Sequence, residues 1–142
     1  MFSKKLYVIC MVVVISMLPT YVFAETKNIN NVVTVQWVAT SLVESSISIS
    51  SGTANTYVDV VFSNSNVSSA NFIVNLQQYK NGKWVNLKTW NTTKTVKNLC
   101  ADFEQSYDVE KGYKYRVNGN IKVYQGSTLK ETVSIPSYTK SY

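Results

Sequence analysis

Apolar and polar residues alternate with a period of two in several stretches of the chain, and no window of a dozen residues shows the periodicity of an amphipathic helix. One run, Tyr57–Phe62, places Val58, Val60 and Phe62 on the same face of a strand. Other alternating runs are Ile47–Ile49, Phe72–Tyr79, Lys83–Trp90, Phe103–Val109, Tyr113–Tyr124 and Leu129–Ile135. About seven short strands, with turns roughly 8–12 residues apart, predict an all-β fold, a two-sheet antiparallel β-sandwich.

The clearest local signal is the pair Asn81-Gly82, which stands between two alternating runs. Asn-Gly is the favoured pair for a type I′ turn, because both central residues need a positive φ. We therefore predict an antiparallel hairpin that pairs the strands around Leu76 and Val85. In a regular return strand, Trp84 and Trp90 share one face. Both faces of that strand carry apolar bulk, so the pattern leaves open which one meets the core.

The N-terminal segment has the pattern of a secretory signal peptide. Lys4 and Lys5 precede the apolar run Leu6–Leu18, and small residues at Val22 and Ala24 complete a cleavage site. The alternative is a membrane anchor, but thirteen apolar residues fall short of the roughly 20 that a transmembrane helix needs. We expect cleavage after Ala24, secretion, and no transmembrane anchor in the mature chain.

The expected organisation has four parts. Residues 1–24 form the signal peptide, 25–46 an N-terminal arm or edge strand with a possible strand at Val32–Trp37, 47–136 the β-sandwich domain, and 137–142 a polar C-terminal tail. Cleavage would lower the formal net charge of +6 by two, because residues 1–24 contain two lysines and no acid. The one cysteine left, Cys100, lies between apolar residues, which favours a buried thiol, with cross-linking to another chain as the alternative.

The chain contains no histidine, which excludes Ser-His-Asp and Cys-His catalysis and zinc sites built on histidine. Asp102 and Glu104 share one strand face and raise the possibility of a glycosidase carboxylate pair, but carboxylates at this spacing are usually only solvated. Those two residues and Asp108 do not form a calcium-loop motif. We expect no enzyme, no cofactor and no metal site.

The segment Val109–Val117 resembles the tyrosine corner of fibronectin type III and immunoglobulin-like sandwiches. In that pattern a glycine opens a turn into a strand. Three positions later comes a tyrosine whose hydroxyl bonds to nearby backbone. Gly112 and Tyr115 have this spacing. The resemblance implies a sandwich of this class, with Gly112 and Tyr115, like Asn81 and Gly82, in structural roles.

The region 47–142 also resembles small exported proteins of Gram-positive bacteria that are grouped as domains of unknown function. The shared features are an NG-x-W turn, a second tryptophan six residues on, a GY-x-YRV segment and an S-Y-T-K-S-Y-like end. The matching residues are Asn81, Gly82, Trp84, Trp90, Gly112, Tyr113, Tyr115, Arg116 and Val117, followed by Ser137–Tyr142. This resemblance implies an exported location and a fold, not an activity.

Basic and aromatic residues supply the candidate contacts. Lys114, Arg116 and Lys122 can share the outward face of one strand, and an exported basic protein is attracted to anionic polymers. Trp84 and Trp90, with Tyr113, would form either a sugar-stacking platform or part of the core. The lysines would otherwise serve solubility and edge protection.

Two functions remain open at this point. One is a secreted, non-enzymatic β-sandwich associated with the cell wall, an envelope binding or interaction module whose partner is an anionic cell-wall polymer or another surface protein. The alternative is a small secreted antagonist or bacteriocin-like toxin. Export and the lack of a recognition motif argue against nucleic acid as a partner.

Overall fold

The computed structural model describes residues 38–142. The predicted signal peptide and the possible strand at Val32–Trp37 lie outside these residues. Within them the chain forms seven strands and no helix. The strands are β1 (Thr40–Ser50), β2 (Thr53–Phe62), β3 (Ser69–Lys80), β4 (Lys83–Thr95), β5 (Cys100–Asp108), β6 (Lys114–Gln125) and β7 (Thr128–Ser141).

The strands form two antiparallel sheets, with orders β1-β2-β5 and β4-β3-β6-β7. Strands β2, β3 and β6 alternate between buried and more exposed positions, because each packs one face against the opposite sheet. Strand β4 follows β3 through a hairpin, and β5 then crosses to the other sheet. This arrangement confirms the predicted fold class, an all-β, two-sheet antiparallel β-sandwich.

The core lies between the two sheets and consists of their inward-facing apolar residues. Phe72 on β3 stacks on Phe103 on β5, with ring centroids 6.0 Å apart. The largest fully buried side chains are Tyr115, Phe62, Phe72, Phe103, Leu76, Ile121, Val58, Val60, Val74, Val117, Val123 and Val133. Burying side chains of this size contributes about 1.5–3 kcal/mol each, so the core provides the main stabilisation of a domain with no disulfide among its described residues.

Tyr115 occupies the corner position that the sequence pattern predicts. Its ring is fully buried, and its hydroxyl donates a hydrogen bond to the Glu110 carbonyl oxygen at 2.7 Å. The same hydroxyl accepts a hydrogen bond from Gln78 Nε2 at 3.0 Å. Gly112 has a φ of 88° in the turn that leads into β6, a conformation that side chains other than glycine rarely adopt. The corner thus ties the β5–β6 turn to the centre of the four-stranded sheet.

Two of the expected domain boundaries fall inside strands of the sandwich. The arm is assigned to 25–46 and the domain to 47–136. The boundary between them falls inside β1, which begins at Thr40. The polar tail assigned to 137–142 belongs to β7, which continues past Pro136 to Ser141. Both segments are edge strands, where one side of the backbone has no sheet partner and polar residues replace regular alternation.

Strand β7 also holds the beginning of β1. The Glu131 carboxylate accepts hydrogen bonds from the Val38 and Ala39 backbone N–H groups, at 2.8 and 3.3 Å, and from the Thr40 hydroxyl. Ser45 donates from its hydroxyl to the Pro136 carbonyl oxygen further along the same two strands. We call the contacts of Glu131 with residues 38–40 the Glu131 clasp. They close one side of the sandwich.

Candidate functional site

The β3–β4 hairpin turns at Asn81 and Gly82, whose φ values of 52° and 76° fit the predicted type I′ turn. The two strands then pair regularly from Lys80 and Lys83 as far as Gln77 and Asn86. The next pair is Leu76 with Lys88, so Leu87 is an extra residue in β4. This β-bulge shifts the alternation of β4 by one position.

The bulge places the two hairpin tryptophans on opposite faces. Trp84 lies opposite Tyr79 and faces outward, whereas Trp90 lies opposite Val74 and packs against the core. The Trp90 ring meets Phe103 edge to face, with centroids 5.7 Å apart. The prediction that Trp84 and Trp90 share a face is therefore wrong, because period-two counting cannot register an inserted residue. A sugar-stacking platform made from both rings does not form.

Trp84 instead supports Arg116 on the outer face of the four-stranded sheet. The guanidinium carbon of Arg116 lies 4.3 Å from the centre of the Trp84 ring, a close cation–π contact. The Tyr79 ring flanks Trp84, with a centroid distance of 5.1 Å and an interplanar angle of 58°. Arg116 is half-buried at this position.

Two amides extend the contact across three strands. Arg116 donates from Nε to Gln77 Oε1 at 2.7 Å, and Gln77 donates from Nε2 to Asn86 Oδ1 at 2.6 Å. The three side chains come from β6, β3 and β4. No sequence motif singles out Gln77 or Asn86. Counting back from the Asn81-Gly82 turn puts them opposite each other, and this was the signal that could have found them.

The other predicted basic residues follow Arg116 along β6. Lys114 lies two residues away on the same face, which is about 7 Å along a strand, and Lys122 lies six residues away, about 20 Å. Lys114 is exposed and Lys122 half-buried. We call the outer face of the four-stranded sheet, which carries these two lysines and Arg116, the basic face. Lys114 adjoins the Arg116–Trp84 contact, and Lys122 stands apart from it.

Charge is divided between the two sheets. The strands of the four-stranded sheet carry nine cationic side chains and one acid, Glu131, which bonds to residues 38–40. The nine are Lys80, Lys83, Lys88, Lys94, Lys114, Arg116, Lys122, Lys130 and Lys140. The strands of the three-stranded sheet carry five acids and no lysine or arginine.

Those acids occupy the outer face of the three-stranded sheet, which we call the acidic face. Glu44, Asp59 and Asp102 lie directly opposite one another on adjacent strands, and Glu104 follows beside Tyr57. Partial burial raises the pKa of the Tyr57 phenol, and the negative charges of Asp59, Asp102 and Glu104 raise it further. Despite this density, no group of three acidic or cysteine side chains among residues 38–142 is arranged to hold a metal ion.

Cys100 is exposed, which corrects the expectation of a buried thiol. Asn98 and Leu99 turn the chain with positive φ values of 51° and 63°, and β5 then begins at Cys100. Ala101 and Phe103 take the inward positions of β5, so the position of Cys100 points outward. Apolar neighbours in the sequence do not bury a residue at the start of a strand.

Comparison with known proteins adds no relative. No family model, curated protein or solved structure matches the chain. In the part of the chain that the structure describes, no helix is long and apolar enough to span a membrane. The candidate site is therefore defined by its own geometry. The Arg116 guanidinium contacts Trp84 and Gln77, and the basic face around it carries cations and no carboxylate.

Proposed function

We propose that this protein is an exported, non-enzymatic β-sandwich that binds an anionic polymer of the cell envelope through its basic face. The observation that carries the proposal is the division of charge between the sheets. Nine cations and a single engaged acid occupy one sheet, and five acids occupy the other. A positive potential concentrated on one side attracts a polyanion and orients the protein on it.

The shape of the basic face also supports a polymer as the ligand. Lys114, Arg116 and Lys122 lie along one strand over about 27 Å, the length of eight residues at about 3.4 Å each. A linear chain with repeated negative charges can contact all three cations at once. Exposed lysines elsewhere on the strands of the same sheet, such as Lys83 and Lys94 on the edge strand β4, add to the positive charge of this sheet.

The residues present also favour binding over catalysis. The chain has no histidine, and the carboxylates of the acidic face stand on an open sheet surface beside Tyr57. A carboxylate pair for acid and base work needs environments that push the two pKa values apart. Asp102 and Glu104 both lie exposed on the same outer face, in like surroundings.

Retention of the purified protein on isolated cell walls tests the proposal. We expect the protein to be retained at low salt and released at high salt, because screening weakens contacts between exposed charges. Absence of retention at both salt concentrations would overturn the proposal.

A matched pair of double variants tests whether the face matters beyond net charge. Lys114→Gln with Lys122→Gln removes two charges from the basic face. Lys97→Gln with Lys111→Gln removes the same charge from turns outside the strands. We expect the first pair to lose much more retention than the second. Equal losses would mean that overall charge, not the basic face, governs binding.

A further inference from the structure

Resting on the proposed function, we propose that the Arg116 guanidinium is the specific anion-binding centre of the basic face and takes an oxyanion in bidentate fashion. The ligand chemistry is a pair of oxygens on one charged group, as in a phosphodiester or a carboxylate. The lysines of the face would then add attraction that depends only on charge, while Arg116 would require a particular ligand geometry.

The first support for this inference is that Arg116 is held in place before any ligand arrives. The guanidinium carbon lies 4.3 Å from the centre of the Trp84 ring and Nε donates to Gln77, so two contacts from neighbouring strands restrain the Arg116 end group. The bond from Gln77 Nε2 to Asn86 sets which way the Gln77 amide points. A side chain ordered in advance loses less conformational freedom on binding.

The second support is that the binding edge of the guanidinium is left free. A guanidinium has five N–H donors, and Nε–H is the one bonded to Gln77. Among the described residues, Gln77 is the acceptor of the Arg116 hydrogen bonds, which leaves the four N–H donors of the two terminal nitrogens. Two parallel N–H groups of this set match the two oxygens of a carboxylate or phosphate group.

The third support is that the basic face contains no acid to neutralise Arg116. The one acid on the strands of this sheet, Glu131, bonds to the start of β1 through both carboxylate oxygens. The other acids of the strands belong to the three-stranded sheet. The nearest charge along the strand is Lys114, a second cation about 7 Å away. An external anion is therefore the partner that this arrangement fits.

Two variants test the geometry separately from the charge. Arg116→Lys keeps the charge but loses the planar fork, and we expect binding to weaken about tenfold or more. Gln77→Glu places a carboxylate against the Arg116 guanidinium, and we expect it to displace the external anion. Asn75→Asp is the matched control, because it adds the same charge at the next outward position of β3, opposite Asn118 and Thr89 instead of Arg116.

The measurement is calorimetric titration with two probes of equal charge per chain, a poly(glycerol phosphate) and a polyglutamate. Thermal unfolding of each variant confirms that it is folded. We expect Arg116→Lys to bind more weakly than the unaltered protein, and Gln77→Glu more weakly than Asn75→Asp. The probe that loses more affinity identifies the source of the oxyanion.

Failures of the two proposals are distinguishable. If the unaltered protein binds neither probe nor cell walls, the proposed function is wrong. If it binds but Arg116→Lys binds equally well, or Gln77→Glu and Asn75→Asp lose the same affinity, the polyanion is held by charge alone. The assignment of a bidentate site at Arg116 would then be overturned while the proposed function stands.

Discussion

The two sheets of this sandwich share one core but differ in their outer surfaces. On the four-stranded sheet, side chains from neighbouring strands are joined by hydrogen bonds, as between Gln77 and Asn86 and between Thr89 and Asn75. On the three-stranded sheet, a row of three carboxylates from Glu44 through Asp59 to Asp102 places like charges directly opposite one another. The first surface is stabilised by these contacts, whereas the carboxylate row destabilises the part of the second surface where it lies.

The difference shows that stability comes from the core that the two sheets share, whereas the candidate binding surface lies on the outer face of one sheet. The acidic face tolerates repulsion because the core beneath it, around Val58, Val60 and Phe103, is fully buried. The basic face combines an ordered polar surface with one supported cation. Both sheets contain register shifts: the four-stranded sheet in β4 and along the β6–β7 pair, and the three-stranded sheet at the start of β1, between Thr40 and Leu42. The shift at Leu87 turns Trp90 inward to the core, while Trp84, between the turn and the shift, stays on the outer face beside Arg116.

The largest expected effect comes from breaking the four-stranded sheet at its centre. Gly119 on β6 has a φ of 147°, and a Cβ atom there would lie 2.0 Å from the Ile73 carbonyl oxygen. Gly119→Ala must move one of the two central strands, and we expect it to cost about 3 kcal/mol or more. Urea unfolding measures the loss.

The control for this substitution is Gly126→Ala, at a turn where φ is 59° and nothing lies within 4 Å of the added Cβ. This change meets only the backbone preference, and we expect a cost of about 1 kcal/mol. Similar costs for Gly119→Ala and Gly126→Ala would contradict the close approach of β6 to β3.

The next effect concerns the corner that joins the four-stranded sheet to its entry turn. Tyr115→Phe leaves the Glu110 carbonyl oxygen and the buried Gln78 amide without their partner, at an expected cost of about 1–3 kcal/mol. Tyr124→Phe, near the end of the same strand, should cost no more than about 0.5 kcal/mol. Comparison of urea midpoints separates the two, and equal small effects would show that Tyr115 has no corner role.

The smallest expected effect is a gain in stability, and it comes from a substitution on the acidic face. Asp59→Asn removes the middle charge of the carboxylate row, and we expect it to stabilise the fold by about 0.2–1 kcal/mol at low salt and less at high salt. It should also lower the pKa of Tyr57 toward its usual value, because one of the charges that raise this pKa is gone. Ultraviolet titration of the phenol follows that change.

Asp108→Asn is the control for the acidic face, since Asp108 lies opposite Thr53 and accepts a hydrogen bond from its hydroxyl at 3.2 Å. It removes the same charge outside the row, and we expect no gain in stability from it. A stabilisation equal to that of Asp59→Asn would mean that net charge, not the row, determines the effect.

The sequence predicted the parts of the fold that local rules govern. Alternation located the strands that face the core on one side, such as β2 and β3, and Asn81-Gly82 located the hairpin. The spacing of Gly112 and Tyr115 located the corner. Each of these features depends on residues close in the chain, whose conformational preferences are expressed wherever the segment lies.

The parts that were missed depend on pairing between distant segments. The inserted residue Leu87 is visible only in the register with β3, so the opposite orientations of Trp84 and Trp90 could not be read from β4 alone. Likewise, β7 continues past Pro136 because it pairs with β6, and its own residues resemble a polar tail. The contact between Arg116 and Trp84 could be predicted only by knowing both the register of β4 with β3 and the face on which Trp84 lies.

The Glu131 clasp has a consequence for the order in which the domain forms. It joins residues separated by 91 to 93 positions, so β1 cannot gain its last hydrogen bonds until β7 has been synthesised. A chain that emerges N-terminus first must therefore carry β1 incompletely bonded through most of its synthesis. Such distant closure is typical of sandwiches, which fold in milliseconds to seconds. A chain released early, before residue 131, would lack this closure and keep the start of β1 open to other strands.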